Sequence, residues 1–273
     1  VDSISGIVNV SADNFVFRFW ASFDHSKINL WNSLSIPAAT FLKYIPREAL
    51  QFEAFTHKNY NLFYSRTKTL NQKKSSIDQF FVQYGNMPSD SIEKLVDSWS
   101  WTAQLDVTEN GKNIRIAGMQ ITDTLKMVEY LKTFGKMLPG ETNRNNKNQI
   151  PIYKITTGNF FNHLFPTEAI PSDTIYCLLT SNHLWIASSP TTLRFTLSSF
   201  VNKNSLEDVI NLNRASYYHY ANLKKLRAQL ESVDNSAQAQ FLRTLQNSNQ
   251  HTDHCLLEMD YSLQPFFGIF RVW

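Results

Sequence analysis

Residues 5–20, SGIVNVSADNFVFRFW, alternate between apolar and polar positions, break at Ala12-Asp13-Asn14, and alternate again. A period of two marks a half-buried strand, and two such runs around a polar turn predict a β-hairpin. Phe15, Phe17 and Phe19 then share one face, with Val16, Arg18 and Trp20 on the other. Residues 102–118, TAQLDVTENGKNIRIAG, repeat the arrangement around Asn110-Gly111, a pair that readily takes the positive φ angles of a tight hairpin turn. A further echo joins Ile45-Pro46-Arg47-Glu48 to Ile170-Pro171-Ser172-Asp173, each leading into an apolar run. The echo is unequal, because the second copy carries extra residues between its hairpin and its Ile-Pro strand.

Other segments follow helical spacing. In 124–134, Leu125, Val128 and Leu131 form an apolar stripe that stops at Gly135. Helical patterns also fall at 76–84, after Pro88 (where Asp90 and Glu93 have capping-box spacing), and at 191–200, 205–212, 222–231 and 236–245. Strand-like runs fall at 45–55, 60–65, 150–156, 170–179, 184–187, 255–261 and 267–273. The Asn-rich stretch 139–149 reads as a loop or linker. Hairpins with helices grouped between them predict an α+β fold rather than a parallel α/β sheet. The expected organisation is two related modules, each a mainly antiparallel twisted sheet with helices packed on one face. Residues 1–139 form the first and hold both repeated hairpins, 140–149 the polar linker, and 150–273 the second.

Composition narrows the functional classes. The chain has 273 residues, 42% of them hydrophobic, enough for a substantial core, and its 14% aromatic content favours β-structure. A net charge of +3 from scattered Lys and Arg lacks the concentrated basic face of a nucleic-acid binder. No run approaches the ~18 apolar residues of a membrane helix. The opening Val1-Asp2-Ser3, without Met or a leader, and the apolar end at Trp273 read as a trimmed fragment or mature product. Only eight Gly are present, and the G-x-S-x-G elbow, phosphate loop, HExxH and paired CxxC motifs are missing, so no cofactor is expected. Cys177 and Cys255 sit in apolar runs and read as free thiols rather than a disulfide.

Three groups carry candidate chemistry. Trp99, Trp101, Trp185, Tyr218 and Tyr220 have the rings for a sugar- or peptide-binding surface, although stripes of this kind also form the buried faces of sheets. His251-Thr252-Asp253-His254-Cys255 is the one dense run of metal-capable side chains; on a strand, His251, Asp253 and Cys255 share a face. Its position after Asn247-Ser248-Asn249-Gln250 reads first as a solvated turn. Asp97, Asp106 and Glu109, with Asp253, Glu258 and Asp260, supply carboxylates of the kind that hydrolyse glycans in pairs.

Three further stretches carry a family likeness: 100–107 with its hairpin ending at Ala117-Gly118-Met119, the Ile-Pro-x-acidic strand starters, and Asn182-His183-Leu184-Trp185-Ile186-Ala187-Ser188-Ser189-Pro190 before a helix. Their order resembles a domain-of-unknown-function family of exported bacterial proteins, similar to cell-envelope lipoproteins with several copies of an α+β unit. The resemblance implies export to the periplasm or cell surface and a lipid anchor upstream of Val1; it assigns no residue a role. Duplicated architecture without catalytic motifs points to a non-enzymatic module that binds or scaffolds a protein or polymer partner. The alternative is a hydrolase with carboxylates meeting between the modules.

Overall fold

The computed structural model describes residues 3–11, 14–22, 40–56, 94–109, 112–138, 150–156, 165, 170, 172, 174–212, 215–230, 253–260 and 266–273. Both repeated segments form hairpins. The first comprises β1 (Ser3–Ser11) and β2 (Asn14–Ser22), and the second β4 (Val96–Glu109) and β5 (Lys112–Ile121). The remaining strands are β3 (Ala49–Thr56), β6 (Lys136–Leu138), β7 (Ile152–Ile155), β8 (Ile175–Thr180), β9 (His183–Ala187), β10 (Tyr217–Asn222), β11 (His254–Asp260) and β12 (Phe266–Val272). They build one sheet in the order β1-β2-β12-β11-β10-β3-β4-β5-β9-β8-β7-β6. Every neighbouring pair is antiparallel.

This overturns the α+β expectation of two sheets, each with a helical layer. The described chain is a twelve-stranded antiparallel sheet with three short helices, α1 (Thr124–Phe134), α2 (Pro190–Val201) and α3 (Leu223–Leu230). The physical reason is that alternation fixes which face a residue takes, whereas partner choice among non-local strands is set by the whole sheet. Strands from the two halves therefore interleave: β10 lies between β3 and β11, and β12 pairs with β2. The pattern at 205–212 also shrinks to a single 3-10 turn, Leu206–Asp208. Residues 140–149 lie outside the described residues, and β6 and β7 on either side pair with each other. The patterns at 60–65, 76–84 and 236–245 also lie outside them, as does the start of the helical pattern after Pro88, which does not continue: Leu95 falls in a turn and Val96 opens β4.

The helices begin where their caps dictate. Asp123 accepts the Lys126 backbone N–H at 3.0 Å, and Ser189 accepts that of Thr192 at 3.2 Å ahead of Pro190 in the first turn. In α1 the apolar face turns out to be Met127 and Leu131; Leu125 is 78% exposed. None of the helices among the described residues is long and apolar enough to cross a membrane.

The helices lie on both faces of the sheet. Met127 and Leu131 of α1 cover Ala117, Met119, Leu184, Ile186, Cys177 and Tyr153. On the opposite face, Phe52, Trp99, Trp101, Trp185, Tyr218 and Tyr220 lie under Leu193 of α2, Leu206, and Phe41 and Tyr44 of the 3-10 turn Thr40–Tyr44. Beside this second core, on the same face as Tyr218 and Leu256, sits an ion pair with a buried carboxylate. Arg271 Nη2 donates to Glu258 Oε2 at 2.9 Å and to the Asn211 carbonyl at 2.8 Å, with the Glu258 side chain 2% exposed. Removing Arg271 takes the cation from a buried carboxylate, so Arg271→Met should cost about 3 kcal/mol. Adding Glu258→Met should recover part of that loss in urea unfolding; strictly additive losses would refute the coupling.

Candidate functional site

Trp99 and Trp101 alternate with Ser100 on β4, and His183 alternates with Leu184 and Trp185 on β9, so the three indoles and the imidazole project from one face. Between them runs β5, whose Gly118 pairs with both Trp101 and Trp185. A Cβ at position 118 would sit 2.6 Å from His183 Nε2 and from Trp101, so the missing side chain makes room for the box. Inside it, His183 stacks on Tyr44 at 4.0 Å between ring centres and lies 5.0 Å from Trp185, 5.1 Å from Trp99 and 5.9 Å from Trp101. Phe200 of α2 closes the stack over Tyr44 at 5.2 Å.

His183 is fully buried, and neither ring nitrogen makes a hydrogen bond of good geometry, although the Met119 backbone lies close enough to act on the ring. Burial pushes its pKa well below the ordinary value, Lys43 adds repulsion, and the Met119 backbone opposes them weakly. The ring is therefore neutral at physiological pH. Tyr218 and Tyr220 continue the layer, against Phe41 at 5.3 Å and Phe52 at 5.4 Å. The structure thus brings Trp99, Trp101 and Trp185 together and places all five predicted ligand-binding rings in the core, each 3% exposed or less. These rings fill space and present no stacking platform to solvent.

A cleft of about 360 Å³ opens where this layer ends. Arg47 and Glu48 line it from the turn before β3, Leu206 and Val209 from the 3-10 turn, Asn222 and Lys225 from the β10–α3 junction, and His254 from β11. Asn222 ends the strand and starts the helix by accepting the Lys225 N–H at 3.0 Å. Tyr220 bridges core and cleft: its ring is buried, while its hydroxyl meets His254 Nδ1 at 2.9 Å. Burial raises the Tyr220 pKa. It also lowers that of His254, with Asp253 opposing and Lys224 and Lys225 reinforcing the shift.

Charge in the cleft is partly matched. Lys224 pairs with Asp253 at 3.6 Å and Lys225 with Asp106 at 3.3 Å. Arg47 forms no ion pair among the described residues. Glu48 accepts from Asn204 Nδ2 at 2.7 Å through Oε1, while its Oε2 is buried without a partner. A buried carboxylate oxygen lacking a donor is costly unless a ligand supplies an N–H or a cation.

Of the metal-capable run, His251 lies outside the described residues, Asp253 is held by Lys224, and Cys255 is half-buried with its thiol pushed up to about 11. Both cysteines are free. Among the described residues, no three His, Cys, Asp or Glu side chains converge on a metal position. Sequence reasoning passed over His183, Arg47, Glu48, Lys224 and Lys225. His183 had a signal, since it falls in phase with Trp185 on an alternating strand. Comparison with protein-family models, curated proteins and solved structures finds no match to the chain.

A histidine buried as the neutral ring takes up its proton only on unfolding, so the unfolded state binds more protons as pH drops below the unperturbed value near 6.5. Stability should therefore be constant above that pH and fall below it, by up to about 1.4 kcal/mol per pH unit for each such histidine. His183→Phe should flatten the decline measured by urea unfolding between pH 7 and 5, leaving the smaller share of His254. An unchanged slope would show that His183 is not the buried neutral group.

Proposed function

We propose that the protein is a non-enzymatic binding module of the bacterial cell envelope that holds a protein or polymer partner in the cleft between Arg47, Glu48, Asn222, Lys225 and His254. The observation that carries this reading is the unmatched pair at the rim: Arg47 lacks an ion-pair partner among the described residues, and Glu48 Oε2 is buried without a donor. Such a site accepts a group bearing both a carboxylate and an amine or amide N–H. Its size suits a peptide end or a charged side chain rather than a large cofactor. Nearby carboxylates are already engaged, Asp253 by Lys224, Asp106 by Lys225 and Glu258 by Arg271, which favours binding over hydrolysis.

Purified peptidoglycan sacculi, whose stem peptides carry both carboxylates and amines, are the direct probe. The protein should co-sediment with them at low salt and release as salt rises. Arg47→Glu should reduce the bound fraction at least fivefold, and Glu48→Gln should weaken it while leaving the circular dichroism spectrum unchanged. Failure of the unmodified protein to sediment, or equal binding by Arg47→Glu, would refute the cleft assignment. Release of soluble glycan fragments would refute the non-enzymatic reading.

A further inference from the structure

Among the described residues, the strand order ends in two edge strands, β1 and β6. Natural sheets guard such edges with short strands, Lys, Pro or bulges, because unpaired backbone N–H and C=O groups recruit further strands. The β6 edge is guarded: it has three residues and an exposed Lys136. The β1 edge is not. Its nine residues, SISGIVNVS, contain no charge and no Pro, and its register with β2 runs unbroken from Ser3↔Ser22 to Ser11↔Asn14. Ile7, Val8 and Val10 are 57%, 52% and 71% exposed, and Trp20 on β2 adds another 37%. Four of the seven exposed large hydrophobic side chains among the described residues thus lie on this one hairpin.

We infer that β1 pairs antiparallel with β1 of a second copy, about a two-fold axis at Ile7, extending the sheet across two molecules. The sequence of the strand carries the choice of occupant. Centred on Ile7, the pairing sets Ser5 opposite Asn9, Gly6 opposite Val8, and Ile4 opposite Val10, with Ile7 meeting its own copy. Every polar position meets a polar one, and each apolar position meets an apolar one or glycine. Parity is kept, so Val8 and Val10, backed by Phe17 and Phe15 of β2, meet Gly6 and Ile4 of the second copy on the same face. Gly6 lies beneath Phe17, whose ring would collide with a Cβ at 2.5 Å, so the apolar stripe reaches the edge itself.

Electrostatics permit the two-fold. No charge lies on β1, and the one cation on β2, Arg18, pairs with Ile7. Across the axis the two Arg18 positions lie three strand spacings apart, about 14 Å. That exceeds the screening length of about 8 Å at physiological ionic strength. An isologous contact of this kind closes on itself and does not propagate, because the guarded β6 edge offers no second template.

Sedimentation velocity on the purified chain at tens of micromolar tests the inference. The expected result is a dimer, with Ile7→Lys, which places two ammonium groups at the axis, shifting the midpoint to at least tenfold higher concentration at an unchanged circular dichroism spectrum. Cysteine trapping fixes the register independently. Ile7→Cys should form a dimeric disulfide on mild oxidation, Ser5→Cys alone should not, and Ser5→Cys mixed with Asn9→Cys should. A monomer at 100 micromolar would overturn the pairing and leave the edge to a strand of another protein. A dimer insensitive to Ile7→Lys, or one trapped by Ser5→Cys alone, would overturn it equally.

Discussion

One continuous layer of aromatic rings governs this molecule. Tyr218 and Tyr220 on β10, Phe52 on β3, Trp99 and Trp101 on β4 and Trp185 on β9 occupy a single face and belong to one core, joined by Phe41 on one side and His183 on the other. Each buried ring of this size contributes about 1.5–3 kcal/mol relative to exposure. A slip of one residue in any of these strands would exchange its rings for the opposite face, where Glu53, Thr102 and His219 sit. There, Glu53 takes hydrogen bonds from Tyr217 and His219 at 3.4 and 3.2 Å, so under β3 and β10 that face carries a polar stretch beside its own apolar core around Met119 and Leu184. Register across these strands is therefore held from both sides, by rings that must be dry and by polar groups that must not be.

The same layer creates both sites of chemical interest. Within it, Gly118 removes one side chain, and His183 fills the space as a buried neutral imidazole among Tyr44, Trp99, Trp101 and Trp185. At its end, Tyr220 carries a buried ring and a hydroxyl that positions His254 at the cleft. The polar cleft thus rests on the hydrophobic layer, and Asn222 two residues on turns the strand into α3 and sets Lys225 on the rim. Aromatic content and the charged cleft are two ends of one arrangement.

Local features were legible in the sequence and non-local ones were not. The β1–β2 and β4–β5 pairings, helix 124–134 with its Gly135 stop, and the strand phases of Phe15 and Trp101 follow from periodicity and turn chemistry. That Phe52 pairs with Tyr220, and Phe17 with Phe270, depends on contacts over most of the chain length, which no period records. The fold class was hidden for the same reason: the polar stretch 139–149 reads as a boundary between two sheets, although strands from both sides of it belong to one. Arg47 and Lys225 were equally hidden, since surface charges acquire meaning only when distant turns meet.

Interleaving of strands from both halves of the chain is what makes this one sheet. Amide–amide NOEs on deuterated protein test it most directly. Cross-strand contacts joining the amides around Glu53 to those around His219, and those around Phe17 to those around Phe270, would place β10 beside β3 and β12 beside β2. Contacts for β10, β11 and β12 confined to strands 150–187 and to one another, with none reaching β2 or β3, would mean two separate sheets and would contradict it.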